Sequence, residues 1–229
     1  MGERYILIII LCCIGSVLQG LFILSEFRRR MLAAVFLKGS ASLIFVTVGL
    51  VSLSGTGTTS LLQLILYGLA LGALGDILLN VRYLAGSRES FFFVTGVASF
   101  FFGHILYLAA LITVSDRLIP ALAAAVLITA VILCIMQRVI IASVPMKILG
   151  GVYVAAVVLM ACTAVGNAVR IPNTGRIMFA AGAVLFLVSD LILIFNTFGR
   201  ARRMCWSAVC LSLYYPGQLL IALALGFGL

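Results

Sequence analysis

Residues 60–82 read SLLQLILYGLALGALGDILLNVR, and this stretch decides what kind of protein the chain makes. Its one acidic side chain, Asp76, sits among leucines, glycines and alanines, with the next charge at Arg82. A helix that crosses a bilayer needs about 20 mostly apolar residues, which this run supplies. The apolar positions are continuous instead of alternating, so the run reads as a helix and not as a barrel strand. An acid inside such a helix costs about 2.5–3.5 kcal/mol on insertion scales unless it is paired or hydrated. Working outward, seven further runs of the same kind fall at 5–25, 31–53, 91–113, 118–137, 146–168, 175–198 and 204–227. The expected fold class is therefore all-α: a polytopic membrane protein of about eight transmembrane helices, with residues 1–229 forming one domain.

Composition agrees with that reading. Of 229 residues, 65% are hydrophobic and 9% charged; a soluble domain is closer to half apolar and a quarter charged. The loops are too short to hold a soluble appendage. The first apolar run is followed by no small-residue cleavage site, so it is expected to remain as the first helix. The net charge of +9 is distributed unevenly. Arg28, Arg29, Arg30, Arg82, Arg88, Arg138, Lys147, Arg200, Arg202 and Arg203 follow odd-numbered helices, against Arg4, Arg117, Arg170 and Arg176 on the opposite side. Ten against four places the odd loops in the cytoplasm and both termini outside, as in a bacterial inner membrane. Topology and anionic headgroups account for the charge, and no nucleic-acid partner is needed. The six cysteines form no CxxC pair and the chain has a single histidine, so neither a metal site nor a cofactor is expected.

A repeat runs through these helices. Asp76 and Asp190 are 114 residues apart, as are His104 and Gln218, and each acid precedes its partner by 28 residues. That offset suggests two four-helix halves, 1–114 and 115–229, in the same orientation about an axis along the membrane normal.

Asp76 and Asp190 are the leading candidates for chemistry, because ionisable groups inside membrane helices usually mark a functional site. Each lies six to eight residues from the cytoplasmic end of its helix, about 9–12 Å inside the boundary. Lys38 and Tyr153 fall at the same depth, with Tyr214, Tyr215, Gln218 and His104 slightly deeper. One layer of polar residues, open to the cytoplasm, is expected. One lysine facing two carboxylates leaves a proton to be retained, which divides the carboxyls into an acid and a base. The alternative for Lys38 is that it snorkels to the interface. His104 either relays protons or bonds a neighbouring helix. Tyr214 and Tyr215 point about 100° apart, so one of the two is expected to face the site. Asn80 and Asn196 are placed at the mouth. Phe91, Phe92, Phe93 and Trp206 read as an interfacial aromatic belt, and the close glycines as packing surfaces.

The segments GALGDILL (72–79), FFFGHILY (100–107), LFLVSDLIL (185–193) and YYPGQLLIA (214–222), in that order, resemble the YhhN-like membrane family. Lys38 matches a lysine of that family; Gly39 and Pro216 depart from its usual proline and alanine. Characterised eukaryotic members are lysoplasmalogenases. The resemblance thus implies a hydrolase that cleaves the vinyl ether bond of a lysophospholipid substrate, giving a fatty aldehyde and a glycerophospho-ethanolamine or -choline. It further implies catalysis by Asp76 and Asp190 with His104. Lys38, Tyr153, Tyr214 or Tyr215, Gln218 and Asn80 would meet substrate, with membrane lipids as the surroundings. Two other classes fit the same residues: a small transporter or proton-coupled carrier, and a lipid-binding protein without turnover.

Overall fold

Each apolar run closes into a helix because lipid offers its backbone no other hydrogen-bond partner. The computed structural model describes residues 2–54, 59–200 and 203–229, and among them all regular elements are helical. The elements are α1 (Gly2–Phe27), α2 (Met31–Leu53), α3 (Ser60–Val81), α4 (Glu89–Thr113), α5 (Leu118–Val139), α6 (Val144–Arg170), α7 (Thr174–Phe198) and α8 (Met204–Ala224). Two 3-10 turns, Arg82–Leu84 and Gly86–Arg88, join α3 to α4. Arg202, one of the loop cations counted above, lies outside the described residues.

All eight helices are long and apolar enough to cross a membrane. The shortest has 21 residues, about 31 Å at 1.5 Å per residue, which matches a hydrocarbon core of about 30 Å. The chain is an integral membrane protein. Its outer face bears side chains that water would not tolerate in such density: Phe36 is 73% exposed, Ile119 83% and Val169 77%. The expected helix boundaries hold within a few residues. The largest differences are at α1, which starts at Gly2, and α8, which ends at Ala224. Helical hydrogen bonding does not stop where the apolar stretch does, so polar ends such as Glu3–Arg4 continue the helix.

Apart from α4 and α5, neighbours in sequence pack as hairpins, and the two halves meet chiefly through α2 against α8 and α4 against α6, with α8 also touching α1 and α3. α1 and α5 stay peripheral: α5 buries only Ala121, Ala125 and Met136. The 114-residue offset recurs in the packing. Thr59 caps α3 by accepting from Leu62 N–H, and Asn173 caps α7 by accepting from Arg176 N–H at 2.7 Å. α3 crosses α4 at Gly68 and Gly103, and α7 crosses α8 at Gly182 and Gly217. A methyl group on Gly182 would lie 2.6 Å from the Gly217 carbonyl oxygen, and one on Gly103 would lie 3.1 Å from that of Gly68. Both crossings need glycine for close backbone approach, as is common between membrane helices. Tight crossings of α3 with α4 and of α7 with α8 bring each acidic helix against the even helix after it.

Candidate functional site

A cavity of about 170 Å³ opens where the odd helices end and the even helices begin. Lys38 from α2, Asp76 and Asn80 from α3, Tyr153 from α6, Asp190 and Asn196 from α7 and Tyr214 from α8 all line it. At about 30 Å³ per water in the liquid, that volume holds several waters or one polar substrate group.

Asp76 is held as an acceptor. Ser42 donates to its Oδ2 at 2.5 Å and Tyr214 donates to the same oxygen at 2.8 Å. The Lys38 ammonium lies 3.3 Å from Oδ1, an ion pair without a directed hydrogen bond. Lys38 is 2% exposed, so it points inward and does not snorkel. Its ammonium rests over the Tyr214 ring at 4.2 Å and the Phe22 ring at 5.4 Å, a cation–π seat that suits a desolvated charge. Behind Tyr214, Gln218 Nε2 donates to the tyrosine oxygen at 3.3 Å and Gln218 Oε1 accepts from Tyr107 at 3.2 Å. This chain of donors ends on Asp76.

Asp190 has a different environment. Tyr153 makes a short hydrogen bond to its Oδ2, and the same hydroxyl lies 3.3 Å from His104 Nε2. No ion pair of Asp190 is present among the described residues. His104 Nδ1 is buried with no hydrogen-bond partner, and the ring packs edge-on against Phe186 at 4.5 Å. Phe100, Phe186 and Tyr214 form an aromatic cluster between the two carboxyl networks, with Phe186 and Tyr214 centroids 5.2 Å apart.

The profile of the YhhN family matches residues 33–225, which span every one of these polar groups. The chain belongs to the YhhN family. No curated protein and no solved structure matches it. The YhhN span begins inside α2, so Phe22 and Glu26 of α1, which also line the cavity, lie outside it.

Most of the residues expected from sequence come together, though in two layers. Lys38, Asp76, Asn80, Tyr153, Asp190 and Tyr214 reach the cavity wall; His104 and Gln218 do not, and sit one step behind Tyr153 and Tyr214. Tyr215 is buried on the far side of α8, where its ring meets Phe45 and its hydroxyl crowds Gly15. Both tyrosines are buried because α8 packs on α7 with one face and on α1 and α2 with another. Asn80 donates to the Asp76 carbonyl at 2.9 Å, and Asn196 bonds Ser207 and the Arg203 N–H. Phe93 is not simply part of an interfacial belt: it lines the cavity and carries the Arg82 guanidinium 5.0 Å above its ring. Sequence reading missed Ser42. A signal was present, since Ser42 stands one helical turn after Lys38 and so on the same helix face.

Proposed function

We propose that this chain is a membrane hydrolase that cleaves the vinyl ether bond of lysoplasmalogens, yielding a fatty aldehyde and a glycerophospho-ethanolamine or -choline. The observation that carries it is the asymmetry of two buried carboxyl groups on one cavity: Asp76 has the lysine and Asp190 has none. Membership of the YhhN family is consistent with this activity.

Vinyl ether hydrolysis needs a proton on the β carbon, a stabilised oxocarbenium cation and a water. With one lysine for two carboxyls, charge balance leaves one transferable proton, and the pairing of Lys38 with Asp76 favours Asp190 as its holder. Asp190 O–H then donates to the β carbon, and the π electrons form the new C–H bond. The ether oxygen shares the positive charge with the α carbon. Asp76, paired with Lys38 and accepting from Ser42 and Tyr214, faces that cation. Glycosidases handle their oxocarbenium-like transition state with a similar division of labour between two carboxyl groups. Water adds to the α carbon and releases a proton that restores Asp190. The resulting hemiacetal collapses as its O–H proton is lost, the C=O bond forms, the C–O bond to the glycerol unit breaks and the leaving oxygen takes up a proton, giving aldehyde and alcohol for one water consumed. Tyr153 orients the acid, His104 orients Tyr153, and Gln218 orients Tyr214. These are positioning roles, because neither His104 nor Gln218 reaches the cavity. The cavity would open to the cytoplasm, where the excess of loop cations also lies.

The test is aldehyde release from 1-alkenyl-lysophosphatidylethanolamine by purified protein in detergent, beside Asp76→Asn and Asp190→Asn. The parent is expected to make aldehyde, and each folded variant to lose at least about 100-fold, the lower end for general acid–base groups. A well-folded parent that makes none overturns the hydrolase reading and returns transport and lipid binding to the front.

A further inference from the structure

The charged residues of the cavity fall in two tiers, and the upper tier has no part in the proton chemistry. Lys38 is committed to Asp76 in the lower tier. Nearer the mouth, Arg82 and Lys147 line the same cavity, one at the end of α3 and one in the first turn of α6, and Glu26 of α1 lines it too. Arg82 follows Asp76 by six residues towards the mouth and Lys147 precedes Tyr153 by six, so both cations stand about 9 Å above the acidic layer.

Arg82 is held ready. Its guanidinium stacks 4.6 Å from the Tyr83 ring and 5.0 Å from the Phe93 ring, and Nη2 donates to the Tyr83 hydroxyl at 2.7 Å. The Nε–H is buried with no hydrogen-bond partner. A planar guanidinium fixed by two rings, with N–H groups to spare, suits the oxygens of a phosphate, and Lys147 adds a second cation on the same cavity.

We propose that Arg82 and Lys147 form a phosphate subsite that holds the headgroup of a single-chain lipid while its sn-1 linkage reaches Asp76 and Asp190. This rests on the hydrolase reading for the identity of the reacting bond, but not for the phosphate. The spacing agrees with the lipid. Between a vinyl ether oxygen and phosphorus lie the three-carbon glycerol unit and one oxygen, an extended chain shorter than the 9 Å rise, and the long Arg and Lys side chains reach down to close the difference. The subsite also settles the place of Lys38, which stays with Asp76 and leaves the phosphate to the mouth.

Binding separates this inference from turnover. A non-cleavable 1-alkyl-lysophosphatidylethanolamine and the matching 1-alkylglycerol, which lacks only the headgroup phosphate and amine, are titrated against the protein in neutral detergent. The parent is expected to bind the phospholipid at least tenfold more tightly. In Arg82→Gln/Lys147→Gln that preference is expected to collapse to within about threefold, while Arg88→Gln, a cation at the same end outside the cavity, keeps it. A preference that survives in the double variant, or one lost equally in Arg88→Gln, overturns the subsite. Glycerol 3-phosphate provides the remaining arm. If it binds as tightly as the lysolipid, the site belongs to a soluble phosphate ester and the lipid assignment falls. Preferential lipid binding without aldehyde release would sink the hydrolase and leave the phosphate clamp standing.

Discussion

Lys38 is the residue on which the two carboxyl groups depend for their difference. It is buried with Asp76, and a buried pair is far costlier to halve than to remove. Lys38→Met leaves Asp76 without its counter-charge and is expected to lower stability by about 3–5 kcal/mol. Lys38→Met/Asp76→Asn removes both charges and is expected to recover most of that loss. Thermal unfolding of the four proteins in one detergent checks this double-mutant cycle. Additive losses would show that the 3.3 Å contact carries no coupling. Sequence made Lys38, Asp76 and Asp190 visible because charge in an apolar run stands out. It did not say which acid the lysine meets, since that depends on the rotation of α2 and α3 about their axes. His104 and Gln218 were equally visible as polar residues, but only packing sets them behind tyrosines and away from the cavity.

At the scale of elements, the 114-residue offset relates two helix caps, two glycine crossings and two acids. We infer that the halves are copies of one four-helix unit. The two halves differ at the site: Tyr214 faces Asp76 from α8, while the corresponding position on α4 holds Phe100. The absence of a hydroxyl on Phe100 is one reason that Asp190 has fewer donors than Asp76. The crossings should be intolerant of side chains. Gly182→Ala forces a methyl to 2.6 Å from a backbone oxygen and is expected to destabilise by about 1–3 kcal/mol, the usual cost of overpacking. Gly20→Ala on α1 has nothing within 4 Å and should be neutral or slightly stabilising. Thermal unfolding of both variants checks the contrast; equal effects would mean that the α7–α8 approach is not tight. Helix positions were legible from the apolar runs, whereas their pairing was not, because an apolar helix fits many neighbours equally well.

For the whole molecule, the cavity and the cation-rich loops share one end. That end is expected to face the cytoplasm. In a cysteine-free background, Ser87→Cys at the cation-rich end should resist a membrane-impermeant maleimide in intact cells and react after lysis. Asp116→Cys at the opposite end should react in both. The reverse pattern would invert the protein and place the site outside.

What the sequence determined alone was the solvent, the number of helices, their approximate ends and the identity of the expensive residues. Each follows from a local quantity: the transfer energy of a run of side chains into lipid, or of one charge. The tertiary structure decided the rest. It set Lys38 against Asp76, left Asp190 to Tyr153, turned Tyr215 away, and carried Phe93 and Arg82 from the expected belt and topology signal to the cavity mouth. These outcomes depend on how eight rods are rotated and crossed. In lipid, that choice rests on close packing and on a few polar contacts between residues far apart in the chain, since apolar burial favours no particular face.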